Sequence, residues 1–238
     1  MSAVRCACGT LSAMHPTLPT PIQAALIDLD GTLVDTLGDF TVALNAMLGE
    51  LSLPGLSRAD IERRVGKGSE HLIRSALQAV GGDPARYDDA WSAYQRHYDA
   101  ANGRHADVYA GAREGLDLLR ARGVRMACVT NKPGRFAQDL LRTKDLYGYF
   151  DHVFGGDAFA QRKPHPLPLL MAARALGAEP AHTLMVGDSS NDAQAARAAG
   201  CPVVLVTYGY NHGEPIQSVD ADAWLDSLAH LATLLPVA

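Results

Sequence analysis

The sequence predicts an α/β protein: a parallel sheet covered by helices on both faces, with a block of helices inserted after the first strand. Four apolar runs, Ala24 to Leu29, Val124 to Thr130, Thr183 to Val186 and Val203 to Val206, have the length and content of strands buried on both sides. Stretches with the spacing of amphipathic helices separate the later runs, and strands alternating with such helices form βαβ units. Between the first run and the rest, residues 35–102 carry helical spacing alone.

The first run, Ala24 to Leu29, stops at Asp30-Gly31, a pair that turns the chain. The helical block follows, with apolar residues at Phe40, Ala43, Leu44, Met47 and Leu48, then Leu72, Ile73, Ala76 and Leu77, then around Trp91, Tyr94 and Tyr98. Pro54-Gly55 and Gly81-Gly82-Asp83-Pro84 interrupt it, which makes several short helices. After Gly111 the reading is helix from Glu114 to Ala121, strand to Thr130, helix from Arg135 to Thr143 and a short strand from His152 to Phe154. Helix from Pro166 to Leu176, strand at Thr183, helix from Asp192 to Ala199 and strand at Val203 come next, and Trp224 to Leu235 is predicted to close as an amphipathic helix. Residues 1–20, with Pro16 and Pro19, are expected to be a flexible extension; residues 21–36 and 106–238 form the expected core, and residues 37–105 the helical insert.

A chain of 238 residues is long enough for a large domain or for a core with a smaller insert. Its net charge of −5 carries no basic surplus of the kind nucleic-acid binding leaves, so a small-molecule partner is expected and no nucleic acid. Cys6 and Cys8 lie in the N-terminal segment with only His15 nearby, too few ligands for zinc, and Cys128 and Cys201 sit inside apolar runs. That usage suits a reducing compartment, and no apolar stretch of about 18 residues is present to span a membrane. The expectation is a cytoplasmic protein with no membrane partner, monomeric or homodimeric.

Ligands of open α/β sheets bind beyond the carboxyl ends of the strands, and four motifs fall at such ends. Asp28-Leu29-Asp30-Gly31-Thr32 places two carboxylates where a strand stops, so that one can attack phosphorus while the other moves protons. An Asp-Gly turn with one capping carboxylate would read the same. Val129-Thr130-Asn131-Lys132-Pro133 offers short donors; Thr130, with Asn131 beside it, is a candidate phosphate ligand, and Thr130 is equally a candidate N-cap for the helix that follows. In Arg162-Lys163-Pro164-His165-Pro166 the prolines can hold Lys163 toward the crevice, where a fixed ammonium would offset phosphate charge. Val186-Gly187-Asp188-Ser189-Ser190-Asn191-Asp192 adds two carboxylates, suited either to Mg²⁺ or to helix capping. Acidic groups converging in this way would repel one another without a cation.

Acidic pair, hydroxyl, lysine and acidic pair, in that order over residues 28–192, resemble the haloacid dehalogenase superfamily of phosphohydrolases. The resemblance implies a Rossmann-like core with a mobile helical cap that closes over the site. It implies Asp28 as nucleophile, Asp30 as general acid and base, and Thr130 and Lys163 as the phosphate-binding pair. It implies Mg²⁺ held by Asp28, the backbone carbonyl of Asp30 and Asp188, with Asp192 in support. Asp28 to Asp35, Thr130 to Pro133, Lys163 to Pro166 and Ala199 to Asn211 are similar to the phosphoglycolate phosphatases in particular, which implies 2-phosphoglycolate as substrate. In the expected cap, Arg63-Arg64-Val65-Gly66-Lys67-Gly68 makes Lys67 the candidate for meeting the substrate's carboxylate, an ordinary solvated turn being the alternative. A sugar-phosphate phosphatase, a β-phosphoglucomutase-like enzyme or a pyrophosphatase would share this core chemistry. A phospho-accepting signalling domain would be about half the size and would lack the insert.

Overall fold

The computed structural model describes residue 18 and residues 21–235. Six parallel strands form the sheet: β1 (Ala24–Ile27), β4 (Arg125–Val129), β5 (His152–Phe154), β6 (Thr183–Gly187), β7 (Val203–Val206) and β8 (Ala223–Leu225), in the order β5-β4-β1-β6-β7-β8. The α/β fold class and its parallel sheet are as the sequence predicts.

Alternation along each strand divides the core into two faces. Ala25, Ile27, Met126, Cys128, Leu184 and Val186 point to one side, against α5 (Ala112–Ala121), α6 (Gly134–Thr143) and α9 (Leu231–Leu234). Ala24, Leu26, Ala127, Val129 and Met185 point to the other, against α7 (Leu167–Ala175) and α8 (Ser190–Ala199). Every one of these strand residues is fully buried or nearly so, which is why the runs are apolar throughout.

Residues 37–101 hold α1 (Leu37–Glu50), α2 (Arg58–Glu62), α3 (Ser69–Ala79) and α4 (Tyr87–Ala101). Phe40, Leu44, Met47 and Leu48 of α1 pack on Ile73 and Leu77 of α3 and on Tyr94 and Tyr98 of α4. The cluster continues into the sheet's helical layer through Phe136 of α6, whose ring meets Tyr98 edge-on at 4.9 Å, and through Tyr210. Aromatic pairs of this geometry add about 0.5–1.5 kcal/mol to the area they bury.

The chain enters and leaves this block through a two-stranded antiparallel pair, β2 (Val34–Asp35) and β3 (Asp107–Val108), with Val34 opposite Val108. Buried Asp39 accepts the backbone N–H groups of Gly103 and His105, both at 2.7 Å, and so ties the start of α1 to the exit strand.

Several details depart from the sequence reading. Trp224 to Leu235 is not one helix: Ala223–Leu225 pairs with β7 as the edge strand, Ser227 accepts the N–H of Ala229, and a 3₁₀ turn (Leu228–His230) leads into α9. Leu225, Leu228, Leu231 and Leu234 recur every three residues, which mimics a helix, but the first is fixed by strand pairing and only the last two share a helical turn. The β2–β3 pair and α2 carried no sequence signal. The N-cap of α6 is Pro133, not Thr130. Within the segment expected to be a flexible extension, Leu18 is buried against the core; the rest of that segment, with Cys6 and Cys8, lies outside the described residues. Cys128 and Cys201 are buried free thiols.

Candidate active site

Parallel register brings the strand ends together. Ile27 stands level with Cys128 of β4 on one side and with Val186 of β6 on the other, so the residues that follow these strands share one crevice. Asp28 prolongs β1 by donating its N–H to Val186 (2.9 Å), and the chain then turns tightly, with Leu33 and Val34 both donating to the Leu29 carbonyl. Gly31 has φ +86°, and a Cβ there would collide with the Asp188 carboxylate, so both conformation and space demand glycine.

Asp28, Asp188 and Asp192 are buried and each offers a carboxylate oxygen, all within 4.8 Å of one another. Lys163 lies among them. Its Nζ donates to Asp192 Oδ1 (2.7 Å) and to the Val129 carbonyl (2.7 Å), and stands 2.9 Å from Asp28 Oδ1, an atom that has no aligned hydrogen bond. Burial, with Asp192 and Asp30 nearby, pushes the Asp28 carboxyl up to about 7 against the pull of Lys163. Burial, then Asp192 and Asp28, hold the Asp188 carboxyl well above the usual range. Burial works to lower Lys163, but Asp192 and Asp28 outweigh it and the ammonium is held above its ordinary value. With all three carboxylates ionised, the one ammonium leaves two negative charges in excess, the charge of one divalent cation; the raised Asp28 and Asp188 carboxyls are the sign of that excess.

The carboxylates differ in what their oxygens already do. Asp192 is saturated: Oδ2 accepts Ser189 Oγ (2.8 Å) and the N–H groups of Asp188 and Ser189, closing a capping box at the start of α8, while Oδ1 holds Lys163. One carboxylate thus both caps α8 and holds Lys163. Asp188 accepts Thr32 Oγ (3.0 Å) and the Tyr210 N–H (2.6 Å), which orient it and leave lone pairs facing Asp28. Asp30 is outside this trio; its Oδ1 accepts Lys132 Nζ at 2.8 Å. The donor set of Asp28 and Asp188, hard oxygens with an uncompensated charge, fits Mg²⁺.

Thr130 is buried beside Asp28, its hydroxyl accepting the Lys132 N–H (3.2 Å). The Asn131 side chain bridges rather than faces the crevice, donating to the carbonyls of Lys163 (2.8 Å) and Gly66 (2.9 Å). Asn191 also donates to the Gly66 carbonyl (3.2 Å), so one peptide of the helical block is gripped from the loop after β4 and from the first turn of α8. Gly66 (φ +103°) bends that peptide over the site. The result is a chamber of about 30 Å³ lined by Asp28, Asp30, Phe40, Tyr98, Thr130 and Lys132 together with Val65, Gly66, Gly68, Ser69 and Leu72. Lys67 does not line it. Lys67 borders a neighbouring open cavity of about 930 Å³ with His71, Arg162 and Lys163.

Three residues of this arrangement escaped the sequence reading. Thr32 and Lys132 lie inside motifs singled out there, yet their partners Asp188 and Asp30 are 156 and 102 positions away. Tyr210 lies in an apolar-to-polar loop with no local sign that its N–H would hold a carboxylate.

A family model described as haloacid dehalogenase-like hydrolase matches residues 22–200. The phosphoglycolate phosphatase of Thiobacillus denitrificans is 43% identical over 222 residues, covering 92% of this chain and 98% of the relative. That of Nitrosospira multiformis is 44% identical over 225 residues, with 93% and 98% covered. Among solved structures, one from Haemophilus somnus described as a predicted phosphoglycolate phosphatase superposes with a TM-score of 0.86 at 30% identity, covering 90% of this chain and 97% of that one. With the match over most of its length and the strand-end carboxylates in place, the chain belongs to the haloacid dehalogenase-like hydrolases.

Proposed function

We propose that this protein is a Mg²⁺-dependent phosphomonoesterase that works through an aspartyl-phosphate and has 2-phosphoglycolate as its substrate. The observation that carries the reading is the buried Asp28–Asp188–Asp192 trio, which one ammonium leaves two charges short of neutrality when ionised, with a further carboxylate, Asp30, that stands apart from it. Asp28 attacks phosphorus; as its oxygen bonds to phosphorus the ester oxygen departs, taking a proton from Asp30. Asp30 then takes a proton from the water that hydrolyses the acyl phosphate, and Asp28 is regenerated. Thr130 and Lys163 bind the phosphoryl oxygens, while the engaged amide of Asn131 leaves only its backbone N–H for that purpose. Mg²⁺, held by Asp28, Asp188 and the backbone carbonyl of Asp30, would neutralise charge on nucleophile and phosphate; Asp192 supports it through Lys163.

Residues 37–105 act as the cap and residues 21–36 and 106–238 as the core. The chamber is small, about 30 Å³, which favours a two-carbon leaving group over a hexose. The names of the relatives point the same way. Among the described residues no helix is long and apolar enough to cross a membrane, and we place the enzyme in the cytoplasm as a monomer or homodimer. The test is phosphate release, with and without Mg²⁺, from 2-phosphoglycolate, a hexose phosphate and pyrophosphate. The expected result is metal-dependent turnover led by 2-phosphoglycolate; no release from any of the three refutes the reading.

A further inference from the structure

We propose that Lys132 is the receptor for an anionic group on the leaving alcohol, and that it selects substrates by the charge at the end remote from phosphate. The inference rests on the phosphomonoesterase reading and deepens it.

Among the described residues, Lys132 is the one cation lining the chamber over Asp28 and Asp30. It is 4% exposed, and its Nζ lies 4.7 Å from the centre of the Phe40 ring and 4.8 Å from that of Tyr98. A buried ammonium pays for its lost hydration unless each N–H finds an acceptor. Lys163 has two hydrogen-bonded oxygens, from Asp192 and Val129, and a third, Asp28 Oδ1, at 2.9 Å, where a charge partner takes up the last N–H. Lys132 has the same three N–H groups and two oxygen partners, Asp30 Oδ1 and the Tyr98 hydroxyl. A donor is left over on a side chain that faces the chamber.

Its position fits the leaving group rather than the phosphate. Lys132 is bonded to Asp30, the carboxyl assigned to the ester oxygen, and not to Asp28, the carboxyl assigned to phosphorus. A carboxylate one carbon beyond the ester oxygen would lie within reach of that ammonium. The chamber is also lined by the first turn of α3, whose N-cap, Gly68, provides no side-chain acceptor for its N–H groups. Lys67, the sequence candidate for this role, lines the neighbouring cavity instead.

The test compares kcat/KM for 2-phosphoglycolate and 2-hydroxyethyl phosphate, which have the same chain length and differ in distal charge, in the full-length protein with Mg²⁺. The wild type should favour 2-phosphoglycolate, and in Lys132→Met that preference should fall about 10- to 100-fold, the range of a hydrogen bond to a charged group. Any loss through poorer alignment of Asp30 affects both esters and cancels in the ratio. An unchanged ratio with both rates reduced would overturn the proposal and make Lys132 a positioning residue for Asp30 only. Lys132→Gln serves where the methionine variant does not fold, and equal kcat/KM for the two esters in the wild type overturns the proposal without any variant. If the wild type cleaves 3-phosphoglycerate but not 2-phosphoglycolate, the named substrate falls while charge selection stands, read as 3-phosphoglycerate against glycerol 1-phosphate. No release from any of these esters removes the phosphomonoesterase reading and this inference with it.

Discussion

Replacing Thr32 by valine removes one hydroxyl from a site where its only side-chain partner is a carboxylate assigned to the metal. Thr32 is fully buried and donates to Asp188 Oδ1 at 3.0 Å, and Asp188 is itself 3% exposed. Valine has nearly the same shape, so no cavity opens and the loss is one hydrogen bond to a buried charged acceptor, about 1.5–3 kcal/mol. Asp188 keeps the Tyr210 N–H on its other oxygen and so stays in place, but its carboxylate form, already disfavoured by burial and by Asp192 and Asp28, loses a stabilising donor. Partners that orient metal ligands typically govern affinity by about 10- to 100-fold. The Mg²⁺ concentration for half-maximal activity should therefore rise by about that factor in Thr32→Val, with kcat at saturating Mg²⁺ changing less, and Thr32→Ser should restore most of the loss. Calorimetric titration of Mg²⁺ gives the same comparison without turnover. A half-saturating concentration within about twofold of wild type would refute the reasoning, because it would mean that this hydrogen bond does not tune the ligand.

Asp28→Asn should lower phosphate release by about 10³-fold or more, since an amide neither attacks phosphorus nor forms an acyl phosphate; rapid acid quench with labelled substrate should trap phospho-enzyme in the wild type alone. Asp39→Ala leaves the buried Gly103 N–H and the partly buried His105 N–H without their acceptor and should destabilise by about 3 kcal/mol, a drop in Tm of about 6–12 °C by calorimetry. Burial, with Lys67 and His71 nearby, pushes His212 down to about 4. The unfolded chain, with histidine near 6.5, binds the proton first, so stability is complete above about pH 6.5 and declines as pH falls toward 4, by about 2–3 kcal/mol. Asn tolerates the positive φ of 53° at this position, and His212→Asn should flatten that part of the urea stability profile; an unchanged slope would discount the histidine.

Strand ends were legible because each is a local event: an apolar run that stops at Asp28, Thr130 or Asp188 announces both the strand and the group at its tip. The closing segment was misread because Leu225 owes its place to pairing with Val206, a neighbour 19 positions earlier, and a three-residue recurrence of leucine looks the same in a strand, a 3₁₀ turn and a short helix. Lys132 shows the deeper limit. Nothing around it in sequence separates a surface lysine from one packed on Phe40 and Tyr98, since those rings arrive from α1 and α4. Asn131 is the converse case: an amide beside a threonine proposed to bind phosphate suggested a ligand, and the folded chain uses it to hold Gly66.

The β2–β3 pair has a consequence for how this chain can be rebuilt. Because Val34 sits across from Val108, the points where the helical block leaves and rejoins the chain are one strand spacing apart, about 5 Å. A segment whose ends meet that closely can be exchanged for another, or for a short turn, without stretching the sheet or shifting the register of Asp28 against β4 and β6. The helical block is thus separable from the sheet at the level of the covalent chain, and chimeras made at residues 34 and 108 would exchange the Phe40 and Tyr98 rings around Lys132 while leaving Lys132 and Asp28 in place.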